Sequence, residues 1–511
     1  MSNWTSGYVA EIGYTYGYYK ELNPLRVTLA FLNAGLVPPE FTSACELGIG
    51  QGVSANIHAA GSATKWCGND FNPSQACFAQ SLANQSNVGA KFYDDSFAEF
   101  FLREDLPNFD YIGLHGIWSW INDDNRGVIV EFIRKKLKPG GVVYISYNTQ
   151  PGWAAFGPMR DLLVQHADIM GVQGEGITRR IDGALAFASR FLALNPTYAR
   201  ANPTVVERLN SLLTLNRNYL AHEYFNRDWK PINFATLAEH MSDAKLTYGC
   251  SAHYLDHIDQ INMTADQREL LNETSDLVFK ESLRDLVINT QFRRDYWVKG
   301  PIKLSQGQRK EALSRCNILL VVPRSGVLLK VKGSLGEADL LPSIYDPILD
   351  AISDHQPKLL GTIAAAVADK GVNFDQVTEA IMVLCGAGVL ECIQDSAIVA
   401  QSKVGADRLN DALLAMAIDG VDAAVLCSPV TGGGVQVSRF EKLFLLAMRA
   451  GFGGSDGYGE FAWNILRSQG QSIVKEGNPL KGTEENLAEL VALAEIFMHD
   501  KMPVLKSLQI V

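Results

Sequence analysis

No two of the eight cysteines form a CxxC pair; they fall at 45, 67, 77, 250, 316, 385, 392 and 427. In a chain of 511 residues, thiols this scattered read as reduced and buried, which excludes a disulfide framework. No apolar run approaches the ~18 residues a membrane span requires. The opening MSNWTSGYVAEIGYTYGYYK has neither the basic start nor the apolar stretch of a secretory signal. A cytoplasmic protein without membrane insertion is therefore expected. Positive charge is also short: 45 Lys and Arg stand against 56 Asp and Glu, a net charge of -11. A dedicated nucleic-acid binder would be basic, so no nucleic-acid partner is expected. The glycine-rich TGGGVQVSR at 431–439 lacks the Gly-Lys-Ser/Thr of a phosphate loop and reads as a turn. His253 and His257 are four apart but have no evident third ligand, so no metal is expected.

What is present points to several soluble domains. Residues 42–150 alternate short apolar runs (SACELG, KWCGND, AKFYDD, FDYIGLHG, GGVVYISYN) with helical patterns near 52–61, 73–85 and 124–137. Such alternation predicts an α/β unit with a parallel sheet covered on both faces. Largely helical accessory domains follow. The boundaries expected are an N-terminal lid or cap over 1–41, the α/β domain over 42–155, a helical middle and regulatory domain over 156–300, a winged-helix-like domain over 301–400 and a helical C-terminal domain over 401–511. The third helix of the winged-helix-like pattern, 374–388, contains no Lys or Arg, which favours a structural or protein-binding role over DNA binding.

The turn after the first apolar run, ACELGIGQG, has glycines at 48, 50 and 52 and a glutamate at 46. Bare backbone there lets a ligand lie against the chain. A dinucleotide site would want G-x-G-x-x-G, but the spacing here is G-x-G-x-G, and Glu46 would repel a pyrophosphate. A phosphate-free nucleoside carrying ammonium and sulfonium groups, S-adenosylmethionine, suits the glutamate better. Asp70, ending the second run, is placed to accept from both ribose hydroxyls. Asp94 and Asp95, ending the third, are placed for the adenine amino group. Each acid alone could merely cap a helix or face solvent; in this order they point to a methyl-donor groove.

The constellation resembles class I S-adenosylmethionine-dependent methyltransferases. The segments YTYGYYKELNPLR, HGIWSW, YNTQPGW and LAHEYFNRDWKPINFATLAEHMSDAKLTYGCSAHY, then QFRRDYW, are similar to bacterial methyltransferases with a methyltransferase regulatory domain. That group includes lysine methyltransferases acting on outer-membrane proteins. The resemblance implies a Rossmann-like fold and S-adenosylmethionine as donor, with S-adenosylhomocysteine as product. It also implies a protein substrate, a surface or outer-membrane protein before export. The residues expected at the donor site are Tyr14, Tyr18, Glu46, Gly48, Gly50, Gly52, Asp70, Phe71, Asp94, Asp95, Ser96 and His115.

The fourth run ends in His115-Gly116-Ile117-Trp118-Ser119-Trp120, where many amine and amide methyltransferases carry an N/D-P-P-Y motif that is absent here. Trp118 and Trp120 are expected to shape the acceptor pocket instead, with Asn148 and Trp153 closing its far side. Aromatic walls attract a cationic amine by ~0.5–2 kcal/mol each. His115 reads either as a base or orienter or as packing at the strand end. The tyrosines near the N-terminus read either as a lid over the donor or as a staple onto the core. The expected function is methyl transfer to a protein side chain, lysine first. A small-molecule or peptide acceptor and a non-catalytic donor-binding scaffold stay open, as does a homodimer.

Overall fold

Along the buried strands, side chains alternate between two apolar layers, as a strand's two-residue period requires. Ala44, Tyr111, Val142, Tyr144 and Tyr296 enter one layer; Cys45, Ile112, Val143, Ile145 and Trp297 enter the other. The computed structural model describes residues 8, 12, 13, 15–172, 174–421 and 423–511. Its main sheet contains β1 (Ser43–Leu47), β2 (Lys65–Asn69), β3 (Lys91–Tyr93), β4 (Phe109–Leu114), β5 (Leu137–Asn148), β6 (Thr247–Ser251) and β7 (Phe292–Val298), in the order β3-β2-β1-β4-β5-β7-β6. The pairs from β3 through β5 are parallel, while β7 runs antiparallel to both β5 and β6. The order reverses at β1, so the tips of β1 and β4 open the crevice where doubly wound sheets bind ligands. This is a Rossmann-like, doubly wound sheet with helical accessory regions.

Helices α1 (Leu25–Asn33), α2 (Val53–Gly61), α3 (Pro73–Ser86), α4 (Phe97–Leu102) and α5 (Asp123–Lys136) flank the sheet. The three helices expected between the strands thus form within a residue or so of their predicted bounds. Asn72, Ser96 and Asn122 cap α3, α4 and α5 through backbone N–H groups of the first turn. The sheet does not stop at residue 155: β6 and β7 come from the 156–300 segment and complete it.

Between β5 and β6 the chain leaves the sheet through a helical unit. Helices Gly157–Ile169, Ile177–Ala193 and Thr204–Leu213 bury Phe156, Leu163, Ile181, Leu185 and Leu209 together. Helix Arg217–Tyr224 then brings it back to the strand tips. That return is pinned by backbone bonds: Lys230 N–H donates to Ser119 O at 2.8 Å, and Ile232 N–H to Asn148 O at 3.0 Å.

The helices expected over 341–395 form as Pro342–Ala351, Leu360–Val367 and Phe374–Gly386, beside a small sheet of strands Lys358–Leu359, Asn317–Leu320 and Leu390–Cys392. Most of Phe374–Gly386 is buried. The long helix Ser396–Ile418 lies along α2 and α3. Gly405 lets it approach: an added Cβ there would stand 2.5 Å from the Val88 side chain. Gln394 donates to the Gly61 carbonyl at the end of α2 at 2.7 Å. His257, singled out in the sequence, is occupied at both ring nitrogens, by Ser251 O at 2.8 Å and the Asn33 amide at 3.2 Å. Among the described residues no helix is long and apolar enough to cross a membrane.

One buried cation fastens the last two strands to the helix Leu277–Val287. Arg293 on β7 meets Glu281 and Asp285 at 2.8 Å each and Asp295 at 3.0 Å, while the Tyr147 hydroxyl on β5 donates to Asp295 at 2.8 Å. Removing one member leaves buried charge uncompensated. Arg293→Ala is expected to cost about 3–5 kcal/mol, read by denaturant unfolding. A loss under ~1 kcal/mol, the range of an exposed pair, would show that the cluster holds nothing together.

Candidate active site

β1 ends at Leu47 and the chain turns on glycines that all take positive φ: +69° at Gly48, +55° at Gly50 and +66° at Gly52. A Cβ on Gly48 would collide with the Ile117 side chain. Gly50 donates its N–H to Asp70 Oδ2 at 2.9 Å, and Asn72 N–H donates to Asp70 Oδ1 at 3.0 Å. Two backbone donors thus aim the aspartate at the turn. In the amide orientation that satisfies both groups, buried Gln75 also donates to that carboxylate at 3.3 Å.

Above this turn lies a cleft with an empty volume of about 1270 Å³, open solvent at its mouth included. Among the described residues, its charged lining consists of Glu46, Asp70, Glu223 and Asp228, with no lysine or arginine. Glu46 is 3% exposed and, among the described residues, its Oε2 has no hydrogen-bond partner. Burial, and then the nearby Asp70 carboxylate, raises its pKa to about 8. Asp70 itself is raised to about 6 by burial, against the pull of its two backbone donors. An unpaired buried carboxyl facing a second one is costly unless a cation completes it. The cleft therefore fits a cationic ligand and opposes a pyrophosphate.

His115 closes the floor. Its ring stacks on Tyr19 with centroids 3.8 Å apart, and its Nδ1 pairs with the Tyr144 hydroxyl at 2.8 Å. Burial lowers its pKa to about 4, so it is neutral at physiological pH and holds a proton poorly. Such a group orients neighbours better than it serves as a base for an ammonium.

The structure brings Glu46, Gly48, Gly50, Asp70, Phe71, Ser96, His115 and Trp120 to the cleft. Other expected residues lie elsewhere. Trp118 is fully buried under α5, where Arg126 donates to its carbonyl at 3.0 Å. Trp153 belongs to the helical unit, edge-on to Trp229 at 4.9 Å and covered by Arg208 at 3.7 Å. Asn148 does not line the cleft; its N–H donates to Ser119 Oγ at 2.8 Å and its carbonyl receives Ile232. Gly52 serves packing: an added Cβ would come within 2.5 Å of Ala79 Cβ on α3. Tyr18 turns away, its hydroxyl 3.3 Å from His58 Nε2 on α2. Asp95 is engaged by Arg103 at 2.8 Å, and Asp94 is exposed outside the cleft. Tyr14 lies outside the described residues.

Several lining residues were not anticipated. Tyr19 takes the place assigned to Tyr18, and Tyr8 joins it, its ring edge-on to Phe71 at 5.7 Å. Phe97 follows the Ser96 cap and Asn69 precedes Asp70. The far wall, His222, Glu223, Asn226 and Asp228, comes from the segment HEYFNRD. That segment carries the family resemblance, but nothing in its local pattern says that it returns to the strand tips.

Residues 216–299 match a family model described as a predicted methyltransferase regulatory domain. Across the whole chain the protein is similar to the uncharacterized protein sll1526 of Synechocystis, 39% identical over 512 residues that cover 99% of both chains. A protein of Rickettsia prowazekii, RP789, is 26% identical over 237 residues, 45% of this chain and 39% of its own. Among solved structures, PKMT2 from Rickettsia typhi in complex with AdoHcy shares the fold with a TM-score of 0.67 at 17% identity, over 95% of this chain and 98% of that one.

The Glu46 carboxyl, with its pKa raised to about 8, is mostly protonated at pH 7. A cation seated against it favours the carboxylate, so binding expels a proton. Affinity for S-adenosylmethionine is expected to rise as pH increases from 6.5 to 8, by up to ~tenfold per pH unit, and to level off above 8. In Glu46→Gln the slope should flatten. Calorimetry across this pH range checks it, and a pH-independent wild-type affinity would contradict it.

Proposed function

The chain belongs to the family of its full-length Synechocystis relative, and from that premise we propose that it is an S-adenosylmethionine-dependent methyltransferase. Its acceptor is a protein side chain, lysine in the first place, on a surface or outer-membrane protein before export. One observation carries the donor assignment: the unpaired, buried Glu46 carboxyl beside a turn of left-handed glycines, with Asp70 held opposite. The likeness in fold to PKMT2 of Rickettsia typhi, solved in complex with AdoHcy, is consistent with the donor, and accessory regions far larger than a small acceptor needs favour a protein as acceptor.

Bound S-adenosylmethionine would supply an electrophilic methyl to an acceptor nitrogen, with the C–S electron pair returning to sulfur as S-adenosylhomocysteine. The chain's residues arrange that encounter. Glu46 would face the donor's ammonium, and Asp70 its ribose hydroxyls. Gly48 and Gly50 admit its backbone-facing edge. Neutral His115, held between Tyr19 and Tyr144, would shape the floor below the transferring group. An acceptor ammonium must first lose a proton, at roughly 4–5 kcal/mol at pH 7 from a pKa near 10.4. Burial beside a cation lowers that cost. Aligning nitrogen, carbon and sulfur supplies the larger part of the rate.

Incubation with tritiated S-adenosylmethionine and lysate from a strain lacking the protein should place label in macromolecules, recovered as methyl-lysine after hydrolysis. Asp70→Ala, losing two charge-assisted bonds, should weaken donor affinity by about 10–1000-fold. Label confined to small molecules would redirect the assignment to a small acceptor. Tight donor binding with no transfer would indicate a scaffold.

A further inference from the structure

We infer that the region matching the regulatory-domain model carries a ligand site of its own: a cavity beside the donor cleft in which Asp285 and Thr290 receive an alkyl ammonium group, from a free amine or a lysine side chain. The inference is independent of what the cleft transfers.

The cavity opens where β6 ends and β7 begins, on the edge of the sheet that also carries the cleft. Its empty volume is about 1280 Å³, open solvent included, and Ser251, Asp256, Glu281, Arg284, Asp285 and Thr290 line it. Phe292 lines it too. Its ring stands edge-on to His115 with centroids 6.2 Å apart, so the two cavities meet across this pair of rings.

The walls are tied down. Thr290 N–H donates to the Asp285 carbonyl at 2.9 Å, and the Thr290 and Gln291 carbonyls receive Gly152 and Thr149 N–H at 2.9 and 3.0 Å. Arg284 meets Asp259 at 2.6 Å, and the Ser251 hydroxyl donates to Asp256 Oδ2 at 2.7 Å. The hairpin of strands Lys330–Gly333 and Gly336–Asp339 reaches the rim, where Ser334 N–H donates to Asn262 Oδ1 at 3.0 Å.

Acid outnumbers base here. Glu281, Asp285 and the buried Asp295 share Arg293, while Arg284 divides itself between Glu281 at 3.7 Å and Asp259. Four carboxylates thus draw on two guanidinium groups. Arg294, next to Arg293 on β7 and so on the other face of the sheet, pairs with Glu21 at 3.0 Å. The shortfall ends on particular atoms. Asp285 is 2% exposed and its Oδ1 receives Arg293, but among the described residues its Oδ2 has no hydrogen-bond partner. The Thr290 hydroxyl lies close enough to draw the Asp285 pKa down, yet no bond closes, and its own Oγ1 is buried and unpartnered as well. Burial outweighs Arg293 and Thr290 and raises the pKa of Asp285. A ligand bearing several N–H groups would satisfy both oxygens.

This set discriminates among ligands. A carboxylate or phosphate would meet Glu281 and Asp285 as like charges. A guanidinium fork would find one Asp285 oxygen already held by Arg293, whereas a compact ammonium needs only a single oxygen from each partner. Among the described residues no group of His, Cys, Asp and Glu is placed to hold a metal ion. Ile288 and Phe292 add apolar surface for the alkyl stem.

Calorimetry of the full chain with cadaverine, and fluorescence anisotropy with labelled hexalysine and hexaglutamate, test the site. At least one of the cationic probes should bind saturably, and hexaglutamate should not. Asp285→Asn, which keeps the Oδ1 contact with Arg293, should weaken that binding about tenfold or more, and Thr290→Val about threefold or more. Binding of cadaverine alone identifies a free amine as the source, binding of hexalysine alone a lysine side chain, and binding of both an ammonium taken from either. If Asp285→Asn fails to fold, Thr290→Val, outside the ion cluster, decides. Binding of neither cation, or equal affinity in wild type and the folded variants, would overturn the inference.

Discussion

A carboxyl group buried without a partner is the constraint around which this molecule is arranged. Glu46 sits at the end of a central strand, shielded from water and facing another acid. Left alone, that arrangement opposes stability at neutral and higher pH, because ionising Glu46 costs more in the fold than in the unfolded chain. It makes sense as half of an interaction whose other half arrives with a ligand. On the proposed reading the missing half is positive, tolerates close backbone, and offers hydroxyls to Asp70. Sulfonium, ammonium and ribose together meet these conditions.

The rest of the structure keeps that place fixed. Parallel pairing sets the tips of β1, β2 and β4 side by side, and the glycines allow α2 to start immediately beyond them. From outside, the helix Ser396–Ile418 and the carbonyl-seeking Gln394 hold α2. On the other side, the Arg293 cluster welds β7 to its covering helix, and the 230–232 segment knots the returning chain to β4 and β5. The returning chain thus converges on the tips of β4 and β5, while the C-terminal region braces α2 from the helix's far end.

Much of this was legible in the sequence because β-strands and amphipathic helices advertise themselves by period. The strands and helices of residues 42–148 form where alternation and capping residues predict them, and side chains at strand tips, such as Glu46 and Asp70, follow from strand ends. Irregular chain is different. In the extended stretch before α1, neighbouring residues face opposite sides, so the choice between Tyr18 and Tyr19 is one of parity: Tyr18 goes to α2 and Tyr19 to the cleft. In the short 3-10 turn Trp118–Trp120, one indole turns under α5 and the other lines the cleft. Trp153 was drawn away by a helical unit whose packing is non-local. The far wall, Glu223 and Asp228, was hidden for the same reason, since only tertiary structure brings residues 217–228 back over the strand tips.

A crystal structure of the protein with S-adenosylhomocysteine tests the central claim most directly. The account predicts the ligand's ammonium within hydrogen-bond distance of Glu46, both ribose hydroxyls on Asp70 and the thioether directed toward His115 and Trp120. A ligand bound away from Glu46, or a cleft that admits NAD in its place, would contradict it.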